Sequence, residues 1–256
     1  MFIPLFLLLP AISLASSYVP IFILPIKDSP NWRYGITLIG PGSHKAISSL
    51  KEFPAGGQIL GVHFMDSADK WVTVTPEFAK KQLIPFLNAH LQKSPVLSMT
   101  QRASKEMTAI AQVLLPGLQN QKFEKVDLGY YGPVSEDFIS AQLKTGSPDL
   151  TLTGNWPPSV QTLLKTYIKK TKQPRITLDE AGETKFTIDE NLFDLLFDKF
   201  VKGDLYLRNV FGDLGFSENK LRGLRPDLQV KNAYPASAPG KQVYGWRRLG
   251  SRCSRF

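Results

Sequence analysis

Cysteine is nearly absent from this sequence: Cys253 stands alone near the C-terminus, so no internal disulfide can brace the fold. Metal-ligand spacing is missing as well. The three histidines, His44, His63 and His90, form no His-x-x-x-His pair and have no cysteine beside them, which leaves no recognisable zinc site. A Gly-x-x-x-x-Gly-Lys-Ser/Thr loop is also lacking, and with it a cradle for nucleoside triphosphate. No Asn-x-Ser/Thr acceptor for N-glycosylation occurs. The stretch Gly40-Pro-Gly-Ser-His44 sets a hydroxyl beside an imidazole, but adjacent residues rarely face each other, and Pro-Gly reads as a turn. Asp127, Asp137 and Asp179 would serve as acid and base only if the fold brought them together, which their spacing does not require. The expectation is a non-enzymatic chain with no catalytic residue, no metal and no cofactor.

Charge is absent from residues 1–26, and Phe2 to Leu9 is an almost unbroken apolar run. Such a segment needs an apolar destination. Ser13-Leu14-Ala15 offers the small residues read at a signal-peptide cleavage site, making 1–15 a candidate signal peptide and the secretory route or the exterior the expected location, with the cytoplasm as the alternative. A membrane anchor and an N-terminal strand compete with that reading. Pro4, Pro10, Pro20 and Pro25 speak against one long helix. At the other end, residues 226–256 carry six basic side chains against Asp227, which is +5 of the chain's +9. Pro235, Pro239, Gly240 and Gly245 there suggest a solvated tail, able to touch anionic surfaces weakly but reading no specific nucleic acid.

Between these ends the chain repeats itself. Val126-Asp-Leu128, Leu150-Thr-Leu152, Ile176-Thr-Leu178 and Leu205-Tyr-Leu207 begin 24, 26 and 29 residues apart, and Leu97-Ser-Met99 precedes the first by 29. Each gap holds a segment with helical periodicity. Val160, Leu163, Leu164, Tyr167 and Ile168 share one helix face, with Lys165, Lys169 and Lys170 opposite; Leu192, Leu195, Leu196 and Phe200 form a second stripe behind a capping Asp189. Ser104 and Ser135 read as the starts of two more helices, and Thr75-Pro76 opens another that Pro85 should interrupt. Ile59 to Phe64 and Trp71 to Val74 read as strands. Strand–helix units of this length bury their apolar sides only by stacking, so the expected fold is α/β: a leucine-rich-repeat-like solenoid with a parallel sheet. Its expected limits are 59–225, after an N-terminal extension at 16–58. In a regular leucine-rich repeat an Asn follows the strand and satisfies the turn; only Asn155 stands at that place, with Tyr131, Ala181 and Val210 in the other units.

The ordered landmarks Lys125-Val-Asp-Leu-Gly-Tyr-Tyr-Gly-Pro-Val-Ser-Glu-Asp-Phe138, Leu150-Thr-Leu-Thr-Gly-Asn-Trp-Pro157 and Phe193 through Leu207 resemble the C-terminal F-box-associated region of a large family expanded in nematodes. The resemblance covers roughly residues 95–225. It implies a repeat region that holds target proteins, while in that family an N-terminal F-box engages a ubiquitin-ligase adaptor. No F-box is recognisable here: Leu24-Pro25 runs into Lys27-Asp-Ser-Pro30 and a strand-like Tyr34 to Ile39 instead of a compact helical segment.

With the triplet ends turned inward, strand alternation sends Asp127, Thr151, Thr153, Thr177, Asp179, Tyr206 and Arg208 to the opposite face. That row is the expected partner-binding surface, and the expected partner is a protein. Tyr130, Tyr131 and Trp156, just past the strand ends, are candidate aromatic anchors, although Trp156 before Pro157-Pro158 can equally fold back and plug its turn.

Overall fold

The computed structural model describes residues 19–40, 43–172, 174–178, 187–202, 206–210, 213–217, 228–232 and 244–248. The expected cleavage site at Ala15, the Gly40 to His44 turn in part, Asp179 and Ala181 lie outside them. The chain begins with β1 (Val19–Pro25), β2 (Trp32–Gly40), β3 (Ser43–Ile47), β4 (Ile59–His63) and β5 (Val72–Val74). A helical stretch then runs through α1 (Pro76–Phe78), a π turn (Ala79–Leu83) and α2 (Ile84–His90). Units alternate after that: β6 (Leu91–Met99), α3 (Lys105–Leu118), β7 (Lys125–Gly129), α4 (Pro133–Thr145), β8 (Asp149–Thr153), α5 (Val160–Lys170) and β9 (Arg175–Leu178). The remainder comprises β10 (Thr187–Ile188), α6 (Glu190–Lys202), β11 (Tyr206–Val210), β12 (Asp213–Leu214), β13 (Leu228–Asn232) and β14 (Tyr244–Arg248).

This is an α/β fold with one large mixed sheet, in the order β11-β9-β8-β7-β6-β4-β1-β2-β3, and β5 also pairs with β2. Every neighbouring pair from β11 to β1 is parallel, whereas β2 pairs antiparallel with β1, β3 and β5. Two small sheets, β10 with β12 and β13 with β14, stand apart. Helices pack in chain order, α2 on α3, α3 on α4, α4 on α5 and α5 on α6. Leu97, Met99, Val126, Leu128, Leu150, Leu152 and Ile176 join the helix stripes in one buried apolar cluster.

The helix boundaries follow from local chemistry. Thr75 and Ser104 accept hydrogen bonds from the amides of Phe78 and Met107, both at 3.1 Å, and Asp189 Oδ1 accepts from Leu192 N at 2.8 Å. Pro85 has no N–H to give and its ring crowds the carbonyl four residues back, so the helix widens to a π turn over Ala79–Leu83 and continues. In α4 the start differs from expectation: Pro133 occupies the first turn behind Gly132, and Ser135 lies inside the helix, fully buried. Its hydroxyl accepts from Tyr131 N at 3.0 Å and donates to the Gly129 carbonyl at 3.3 Å, tying the strand end to the helix.

Four further expectations are revised. The apolar Val19–Pro25 is a strand between β4 and β2, with Ile21 and Ile23 wholly buried, so this part of the N-terminal run packs into the protein core. The stretch expected to be an extension supplies β1 to β3 of the same sheet. Within the C-terminal segment expected to be a solvated tail, Leu228–Asn232 pairs with Tyr244–Arg248. In β11, Tyr206 is aligned with Arg175 and Leu207 with Ile176, and the register shifts before Asn209 meets Thr177; Tyr206 and Leu207 therefore sit one pleat out of step with the corresponding residues of the preceding triplets.

Candidate functional site

Across the parallel strands one row of residues is in register: Phe22 with His63, His63 with Ser98, Ser98 with Asp127, Asp127 with Thr151, and Thr151 with Thr177. These alternate with the apolar triplet ends and so occupy the other side of the sheet. At β2 that side is covered. A Cβ on Gly35, the neighbour of Phe22, would collide with Ala68 and lie 2.7 Å from the Lys70 carbonyl oxygen, so the loop after β4 rests directly on the sheet there. Ser98, Thr151 and Thr177 are half-buried.

Asp127 is the charged centre of the row. Contrary to an exposed position, it keeps only 9% of its surface, and Lys125, two residues earlier on the same face, forms an ion pair with its Oδ2 at 2.8 Å. Its Oδ1 is buried and finds no hydrogen-bond partner among the described residues. Such an acceptor is costly to leave unpaired. His63, two strands away, is half-buried, and burial lowers its pKa more than the Asp127 charge raises it; Lys125 adds to the lowering. The imidazole is therefore neutral at physiological pH. Histidine and carboxylate are separated by Ser98, so the order needed to activate a serine, with histidine in the middle, is not present. In the next row the opposite charges Asp149 and Arg175 pair at 3.0 Å.

Thr153 is also buried, under the turn where its carbonyl accepts from Tyr130 N at 3.1 Å. Tyr206 is aligned with Arg175, and Arg208 falls at the register shift between Leu207 and Asn209. Asp137 is exposed on α4, on another element from Asp127. Among the described residues, no group of three or more His, Cys, Asp or Glu side chains is arranged to hold a metal ion.

The aromatic residues past the strand ends have structural work. Tyr131 is buried and donates to the carbonyls of Gln101, at 2.6 Å, and Met99, at 3.1 Å; burial raises its phenol pKa. Trp156 retains 3% of its surface and lies against Tyr130, with ring centroids 5.3 Å apart, so neither Tyr131 nor Trp156 is an exposed anchor. Tyr130 is half-buried, and its hydroxyl donates to Glu136 at 3.1 Å. Glu136 also accepts from Ser159 at 2.5 Å, bridging the turns that follow β7 and β8. Asn155 is exposed and does not fill the place of a leucine-rich-repeat asparagine.

Gly154 gives this turn its shape, with φ at 80°. A Cβ there would meet only Tyr130 N at an ordinary 3.6 Å, so substitution is penalised by backbone conformation and not by collision. Gly154→Ala is expected to lower stability by about 1–2 kcal/mol, read as a shift in the urea midpoint at constant slope. No shift would mean that the turn relaxes to negative φ.

Sequence reading missed His63 and Ser98. The signal was available in principle, since both lie on strands identified from the sequence, but the pairing of β4 beside β6 had to be known first. No protein-family model matches the sequence, and no curated protein or solved structure shows detectable similarity to it.

Proposed function

We propose that this chain is a non-enzymatic protein-recognition scaffold, a strand–helix solenoid resembling the target-binding region of F-box-associated proteins. The observation that carries the reading is the pair of unlike sheet sides. One side packs the apolar triplet ends into the core, and the other presents the register row His63, Ser98, Asp127, Thr151 and Thr177 across five adjacent parallel strands. Repeated units of this kind offer a broad surface for extended contacts.

The test uses the full chain immobilised in extract from its native cells, with bound proteins quantified against added free chain. A small saturable set of partners is expected. It should be lost from the double variant Thr151→Lys, Thr177→Lys, which places two long cations on the row, and retained by Lys169→Glu on the exposed side of α5. Binding that is indifferent to the sheet variant would remove this face from the reading.

A further inference from the structure

The Asp127 carboxylate is half-paired. Lys125 makes an ion pair with Oδ2, while Oδ1, removed from solvent, has no hydrogen-bond partner among the described residues. An ammonium is a point donor, whereas a guanidinium presents two parallel N–H groups spaced for both oxygens of a carboxylate. The surroundings favour such a guest. Ser98 and Thr151, on either side of Asp127 in the row, bring hydroxyl groups that can accept the remaining N–H bonds. His63, kept neutral by burial, adds no opposing charge, and Asp149 is already engaged with Arg175. The ion-pair partner of Asp127 is movable, because the Lys125 side chain is 46% exposed and can swing into water on a flexible stem.

We infer that Asp127 is an anchor for an arginine side chain of a protein partner, which displaces Lys125 and closes a bidentate pair on both carboxylate oxygens. This deepens the recognition reading and rests on it. Lys125 then acts as an internal competitor, occupying the carboxylate in the free protein. The two residues should therefore respond to substitution in opposite directions.

The experiment is a display selection of short linear peptides, randomised at every position, on the full chain, followed by affinity measurement of an enriched peptide. Enrichment of arginine at one fixed position is expected. Asp127→Asn, isosteric but uncharged, should weaken that peptide by at least about tenfold. Lys125→Met, which keeps the apolar stem and removes the competitor, should tighten it. Peptides enriched without arginine, or insensitive to Asp127→Asn, would overturn the anchor while leaving recognition standing. Failure to enrich any peptide would overturn both. If Asp127→Asn unfolds, the Lys125→Met result decides: unchanged or weaker binding rejects the competitor and the anchor with it.

Discussion

Gln142→Glu is expected to cost about 3–5 kcal/mol at neutral pH. Gln142 retains 1% of its surface and joins α4 to the chain entering β7 through three bonds. Its Nε2 donates to the carbonyls of Gln121, at 2.8 Å, and Gln119, at 3.1 Å, while its Oε1 accepts from Phe123 N at 3.2 Å. A carboxylate keeps the acceptor but turns a donor into a second negative oxygen facing two carbonyls. Gln142→Met is the control, since it removes the same bonds without a charge and should cost less. Burial and carbonyl contacts raise the pKa of the new carboxyl in the folded state above its unfolded value. The extra penalty is then complete above that raised pKa and fades as pH falls, because the protonated acid recovers one donor. Urea unfolding of both variants at neutral and mildly acidic pH checks this. A gap between them that does not narrow on acidification would show that the carboxylate has found solvent.

Trp156→Ala is expected to cost about 3–5 kcal/mol, through lost burial and the cavity left beneath the turn. The ring is packed against Tyr130, whose hydroxyl leads through Glu136 to Ser159, so the loss should loosen the turns after both β7 and β8. Trp156→Phe separates packing from polarity. The indole Nε1 is buried without a partner among the described residues, so removing it forfeits no hydrogen bond to them. Phenylalanine should accordingly recover most of the stability, with hydrogen exchange at Tyr130 and Tyr131 remaining slow. An equal loss in both variants would show that the indole N–H is bonded in solution.

Both sites illustrate what can be read without coordinates. Gly154-Asn-Trp156 announces a turn because glycine and asparagine tolerate the backbone that a reversal needs, and a large ring before two prolines has few places to go but inward. Gln142 announces nothing. A glutamine near a helix end is normally solvated, and only the close return of residues 119–123 makes it a bracket between units. Asp127 is a similar case: alternation assigns it to the far side of the strand from Val126 and Leu128, yet its burial and its ion pair with Lys125 are visible only in the fold.

The elements of local origin are legible along the chain: strands at the Leu97, Val126, Leu150 and Ile176 triplets, the apolar stripes of α3, α5 and α6, and the caps at Thr75, Ser104 and Asp189. These depend on side-chain period and on hydrogen bonds within a few residues, both written along the chain. Tertiary structure alone decided that Val19–Pro25 enters the middle of the sheet, that β11 slips relative to β9, and that His63, Ser98 and Asp127 stand in one row. Strand order and register are set by contacts between residues distant in the chain, and an alternating pattern states that a strand has two sides without stating which neighbour will cover either one.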